Sequence, residues 1–108
     1  MKIIIIEKDD SIQLKDNIIT FSVRGRSYSY FVSEIDKITL MLNDIRDDGE
    51  DMSLSIRIGE NTFIVPSEYG DFEDLLLNGI CISLDVDMVE VTKAFSCTEK
   101  SEFVIYKR

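Results

Sequence analysis

Chemistry in a small protein starts from side chains that hold a proton, a metal or a nucleophile. This chain offers 21 acidic residues, two cysteines and no histidine. Without imidazole, Ser-His-Asp and Cys-His nucleophiles and His-ligated zinc have nothing to build from. Cys81 and Cys97 stand apart in Ile80-Cys81-Ile82 and Phe95-Ser96-Cys97-Thr98, too few thiols for a tetrahedral zinc site. They read as small apolar residues of a reduced protein, not as a disulfide framework. Asp44-Ile45-Arg46-Asp47-Asp48-Gly49 meets the first, fifth and sixth positions of a calcium loop. It then places Arg46 at the third ligand and Ser55 where the bidentate glutamate belongs. Arg24-Gly25-Arg26 has one glycine where a phosphate loop needs several. Carboxylate pairs occur at every spacing in so acidic a chain and single out no acid-base couple. A sugar cleft would also call for aromatics, and tryptophan is absent. The chain reads as a protein that is not an enzyme, with no catalytic, cofactor or metal site.

What the carboxylates do offer is a field. The formal charge is -9, which repels nucleic acid and attracts basic proteins. The charge is concentrated in three places. Asp44, Asp47, Asp48, Glu50 and Asp51 crowd one loop, offset only by Arg46. Asp71, Glu73 and Asp74 open one expected helix, and Asp85, Asp87 and Glu90 open another. Carboxylates at helix starts also answer the helix dipole, and a charged loop is a solvated one. Taken together, however, the clusters would steer a cationic partner and pair with its lysines and arginines. These eleven residues are the candidate partner-binding surface. The bases are more dispersed, Arg24/Arg26 as a pair and Lys107/Arg108 as a tail, so no phosphate footprint and no nucleic-acid binding are expected.

The elements that must hold these residues follow from the apolar pattern. At 108 residues and 44% hydrophobic, the chain makes one domain, 1–108, with a real core. The Ile3-Ile4-Ile5-Ile6 run is far too short to span a bilayer and lacks the basic lead and small-residue cleavage site of a secretory signal. A protein beginning at Met1 and staying in the cytoplasm is the expectation. Lys2–Ile6 reads as a buried strand ended by Glu7-Lys8-Asp9-Asp10. Ser11 to Lys15 alternates, Asp16-Asn17 supplies a turn, and Phe21-Ser22-Val23-Arg24-Gly25-Arg26-Ser27-Tyr28 reads as a hairpin about Gly25. Ile38/Leu40/Leu42 and Met52/Leu54/Ile56/Ile58 alternate on either side of the acidic loop, and Gly59-Glu60-Asn61 returns the chain into Thr62 to Val65.

After Pro66 the period changes. Ser67 as N-cap, the stripe Phe72/Leu75/Leu76 and Gly79 as a stop predict one helix. Asp85 as a cap, with Leu84, Met88, Val91 and Phe95 at i, i+4, i+7 and i+11, predicts a second helix over 85–96 in preference to a strand. Ser101 to Lys107 ends the chain as a strand. The expected fold is α+β: a mostly antiparallel sheet of about seven strands, a meander or half-barrel, with two helices packed on it.

Small, acidic, strand-rich chains that close with a helix and strand such as Asp85-Val86-Asp87-Met88-Val89-Glu90-Val91 and Glu102-Phe103-Val104-Ile105-Tyr106 resemble the immunity proteins of bacterial contact-dependent growth inhibition and polymorphic toxin systems. That resemblance implies a cytoplasmic protein that binds a cognate basic toxin domain, often a nuclease, and covers its active site. It implies no membrane and no small-molecule substrate. A second stretch, Phe31-Val32-Ser33-Glu34-Ile35-Asp36-Lys37-Ile38, is similar to the strand-bend-strand passage of pleckstrin-homology-like domains. The alternative it implies is a scaffolding module without catalytic activity, whose missing basic patch argues against phosphoinositides.

Overall fold

The computed structural model describes residues 2–42, 52–97 and 99–108. Within them, tight turns divide the strands into two sheets. After β1 (Lys2–Ile5), β2 (Ser11–Lys15), β3 (Ile18–Val23) and β4 (Arg26–Phe31) follow one another through two-residue connections. Asp16 and Asn17 make the first at φ +54° and +65°, and Arg24 and Gly25 make the second at +47° and +84°. Left-handed backbone at both central residues gives the turn whose twist matches its strands. The product is a three-stranded antiparallel sheet in the order β2-β3-β4.

A short 3-10 turn at Val32–Glu34 leads to β5 (Lys37–Leu42), then β6 (Met52–Ile58) and β7 (Asn61–Pro66), while β8 (Ser101–Lys107) follows the helices. These four strands and β1 form the second sheet, in the order β1-β7-β6-β5-β8. Its neighbours are antiparallel except β1, which runs parallel to β7 with Ile4 opposite Phe63. The expectation of one antiparallel sheet of about seven strands is thus corrected to eight strands among the described residues, in two sheets, one of them mixed. Alternation gives the reason. Ile19, Phe21 and Val23 make one apolar face, and Ile38, Leu40, Leu54, Ile56, Phe63 and Val65 make another, all buried. Laid edge to edge, those strands would present one broad apolar face to two short helices. Stacked, each face covers the other. The pleckstrin-homology-like order is also departed from, since β8 follows the last helix and pairs with β5.

The Ile3–Ile6 run is likewise not a strand buried on both faces. β1 is an edge strand, with Ile4 and Ile6 inside and Ile3 and Ile5 62% and 56% exposed. After Pro66 the chain makes turns through 67–71, and Ser67 donates its N–H to the Met52 carbonyl instead of capping a helix. The first helical segment holds a π-helical stretch, Asp74–Ile80, continued without a break by the α-helical turn α1 (Cys81–Ser83). The wider winding is visible where the Cys81 N–H reaches the Leu76 carbonyl, five residues back. Gly79, expected as a stop, lies inside this segment, and a Cβ there would stand 3.1 Å from Leu14 Cδ2. Its service is a close approach to β2, not termination. Helix α2 (Met88–Ser96) then packs on β8 and β5.

Candidate functional site

The acidic segment 85–90 is where carboxylates and apolar side chains meet on the surface. Asp87, not Asp85, is the N-cap of α2: its Oδ1 accepts from the N–H groups of Val89 at 3.0 Å and Glu90 at 3.3 Å. Its own N–H donates to the Ile105 carbonyl at 2.7 Å, which ties the helix start to β8. The helix expected over 85–96 spans Met88–Ser96, and its buried face is Val91 and Ala94. Ala94 has no side chain beyond Cβ, so it lets the helix axis come close to the sheet. That rotation turns two members of the expected stripe outward: Met88 is 50% exposed, and Phe95 also lies at the surface. Val89 is 64% exposed beside them. Asp85 and Asp87 are exposed, and Glu90 pairs with Lys93 at 3.2 Å. The result is an apolar centre, Met88 and Val89, with carboxylates on its rim.

The other acidic candidates are placed differently. Asp71, Glu73 and Asp74 are exposed where the first helical segment begins, and Asp74 Oδ1 accepts from Asn78 Nδ2 at 2.9 Å. Among the described residues, no ion pair or hydrogen bond joins this cluster to the 85–90 group. Asp44, Asp47, Asp48, Glu50 and Asp51 lie outside the described residues, between the paired strand ends Leu42 and Met52.

Asp10, at the end of the charged turn after β1, has its side chain only 4% exposed. Its Oδ2 accepts from the Glu7 N–H at 2.8 Å and its Oδ1 from the Arg24 N–H at 2.9 Å, while the Arg24 guanidinium approaches Oδ2 at 3.3 Å. Burial alone would raise this carboxyl; the two N–H donors and the guanidinium outweigh it and hold the group below its ordinary value. Arg24 also bonds the Glu7 carboxylate and the Ile5 carbonyl. With every oxygen engaged, Asp10 is a clamp between β1 and the β3-β4 turn rather than a proton-transfer group. Cys81 and Cys97 are separate free thiols, and burial pushes the Cys81 thiol up, away from reactivity. No metal-binding group of three or more His, Cys, Asp or Glu side chains occurs among the described residues. No helix among them is long and apolar enough to cross a membrane.

Strand register also gathers bases that the sequence disperses. Arg57 is the cross-strand partner of Lys37, and Lys37 is the partner of Lys107. Lys37 and Arg57 alternate with the buried Ile38 and Ile56, which places them on the sheet's other face, and Lys107 joins them as the direct partner of Lys37, beyond an irregularity in the β5-β8 register. Which strands are neighbours is not written in the local sequence, and that hid the row. Compared with known proteins, the chain matches no family model, no curated protein and no solved structure at a significant level.

Proposed function

We propose that this chain is a non-catalytic immunity-type protein that binds a cationic toxin domain in the cytoplasm and covers its active site. The observation that carries the reading is the start of α2, where exposed Met88 and Val89 sit among Asp85, Asp87 and Glu90. An apolar centre that excludes water and a charged rim that sets orientation and encounter rate is the usual division of labour in a protein interface. The exposed carboxylates at 71–74 extend the attractive field, and the acidic 44–51 segment adds to it.

The test is co-expression and pull-down with a basic toxin domain encoded beside this gene. Association should slow steeply as salt rises. Val89→Asp should raise the dissociation rate about tenfold or more, as expected of a central apolar contact. Asp85→Lys should mainly lower the association rate. Salt-independent association, or binding unchanged by both substitutions, would reject this face. Recovery of no protein partner would move the scaffolding alternative ahead.

A further inference from the structure

The row Arg57–Lys37–Lys107 runs across β6, β5 and β8 of the five-stranded sheet. Direct partners share a sheet face, and strands lie about 4.8 Å apart, so three positive side chains stand shoulder to shoulder. Like charges directly opposite each other destabilise a sheet. No described carboxylate forms an ion pair with any of the three. Asp36 is adjacent in sequence, but both its oxygens are engaged. Oδ1 meets the Arg108 guanidinium at 3.5 Å, and Oδ2 accepts from the Gly59 N–H at 2.8 Å. The row lines a depression of about 560 Å³ together with Asp36, Gly59 and Arg108. A second, of about 220 Å³, shares Lys37 and Arg57 and adds Thr39, Ser55, Thr62 and one carboxylate, Glu102.

We propose that this row is a binding site for a small phosphorylated ligand with at least two adjacent phosphoryl groups. A guanidinium and two ammoniums offer a fork and two point charges to neighbouring phosphate oxygens. Size separates this ligand from a long polyanion. Charges are screened beyond about 8 Å at physiological salt. A compact ligand therefore feels the row and Arg108 against two nearby carboxylates, Asp36 and Glu102, whereas a nucleic-acid strand must run on across a surface whose net charge is -9. The larger depression also falls within the roughly 300–1,000 Å³ of small-molecule sites. This site adjoins the acidic docking face, since Lys107 also lines a depression with Asp85 and Asp87.

The experiment titrates inorganic triphosphate into the isotope-labelled full chain and follows the backbone amides. Shifts should be confined to 36–39, 55–59 and 104–108. Arg57→Ala and Lys37→Ala should each weaken binding about tenfold, while Arg26→Ala, which removes a cation elsewhere, should change it less than about twofold. Without ligand, Lys37→Thr should raise the thermal midpoint by relieving the like-charge contacts. Three results would overturn the proposal: no shift at these amides, an Arg26→Ala effect as large as that of Arg57→Ala, or a single-stranded oligonucleotide binding more tightly than triphosphate. A fall in midpoint for Lys37→Thr would remove its physical basis.

Discussion

Phe21 of β3 lies flat on Phe63 of β7, ring centroids 3.8 Å apart and planes 5° from parallel. Tyr28 and Tyr30 meet the same Phe63 ring edge-on at 5.6 and 6.0 Å. One side chain of the large sheet thus holds three aromatics of the small one. Both phenylalanines are fully buried. Phe63→Ala should cost about 3–5 kcal/mol, transfer and cavity terms together. Urea unfolding checks this: the midpoint should fall sharply. A loss under about 1 kcal/mol would mean the site collapses freely and the stack does not hold the two sheets together.

Asp10→Asn keeps the shape of the clamp and removes its charge. The expected loss at neutral pH is about 1–3 kcal/mol, as for hydrogen bonds to a buried ionised group. The folded-state value lies below the ordinary 3.8. The stabilisation is therefore fully present above the unfolded value and is lost as pH falls through the folded one. Denaturation of the two proteins across pH 7 to about pH 2 should show their stabilities converging only at the acidic end. Equal stability at pH 7 would refute the clamp.

Gly79→Ala sets two effects against each other. Alanine gains about 1 kcal/mol of helix propensity over glycine, and its Cβ meets Leu14 Cδ2 at 3.1 Å. That atom is the tip of a flexible, partly exposed side chain and can give way. Gly79→Ala should therefore raise the thermal midpoint by a few degrees, whereas the bulkier Gly79→Val should lower it. A fall with alanine would show that Leu14 is locked in place.

Asp87 serves both as a helix cap and as part of the proposed docking rim, and two substitutions separate these roles. Asp87→Ala should cost about 1 kcal/mol, seen in thermal unfolding. Asp87→Ser restores a cap oxygen without the charge and should recover most of that stability. Serine as damaging as alanine would show that the Asp87 charge matters more than its hydrogen bonds.

Turn chemistry and strand alternation were the parts of this fold most legible in the sequence. Asp16-Asn17 and Arg24-Gly25 announce their hairpins because few residue pairs tolerate two left-handed positions. Ile38, Leu40, Leu42, Met52, Leu54, Ile56 and Ile58 announce their inward face by parity and are all buried. Which strands share a sheet was not legible, because the partner of β1 lies at Asn61–Ile64 and that of β5 at Ser101–Lys107. The helices failed at their ends for a local reason. Ser67 lies in the turns that precede the first helical residue, Phe72, and Gly79 lies inside a segment that continues to Ser83. For the candidate site, Asp85, Asp87 and Glu90 were found by charge alone. Exposure of Met88 depended on the rotation set by Val91 and Ala94 against the sheet, which a helical stripe does not reveal.

Chain order and sheet order disagree at both edges of the five-stranded sheet. The β2-β3-β4 unit needs only sequence neighbours and closes early, since short loops cost little entropy. β1 precedes the other described strands yet pairs with β7, and β8 follows both helices yet pairs with β5. On the growing chain, Ile3-Ile4-Ile5-Ile6 therefore waits without a strand partner until Asn61–Ile64 has emerged, a β-prone run open to other nascent chains. The cluster Glu7-Lys8-Asp9-Asp10 directly behind it is placed as a gatekeeper, its charge discouraging intermolecular pairing during that wait. Asp10 thus guards β1 before folding and clamps it afterwards.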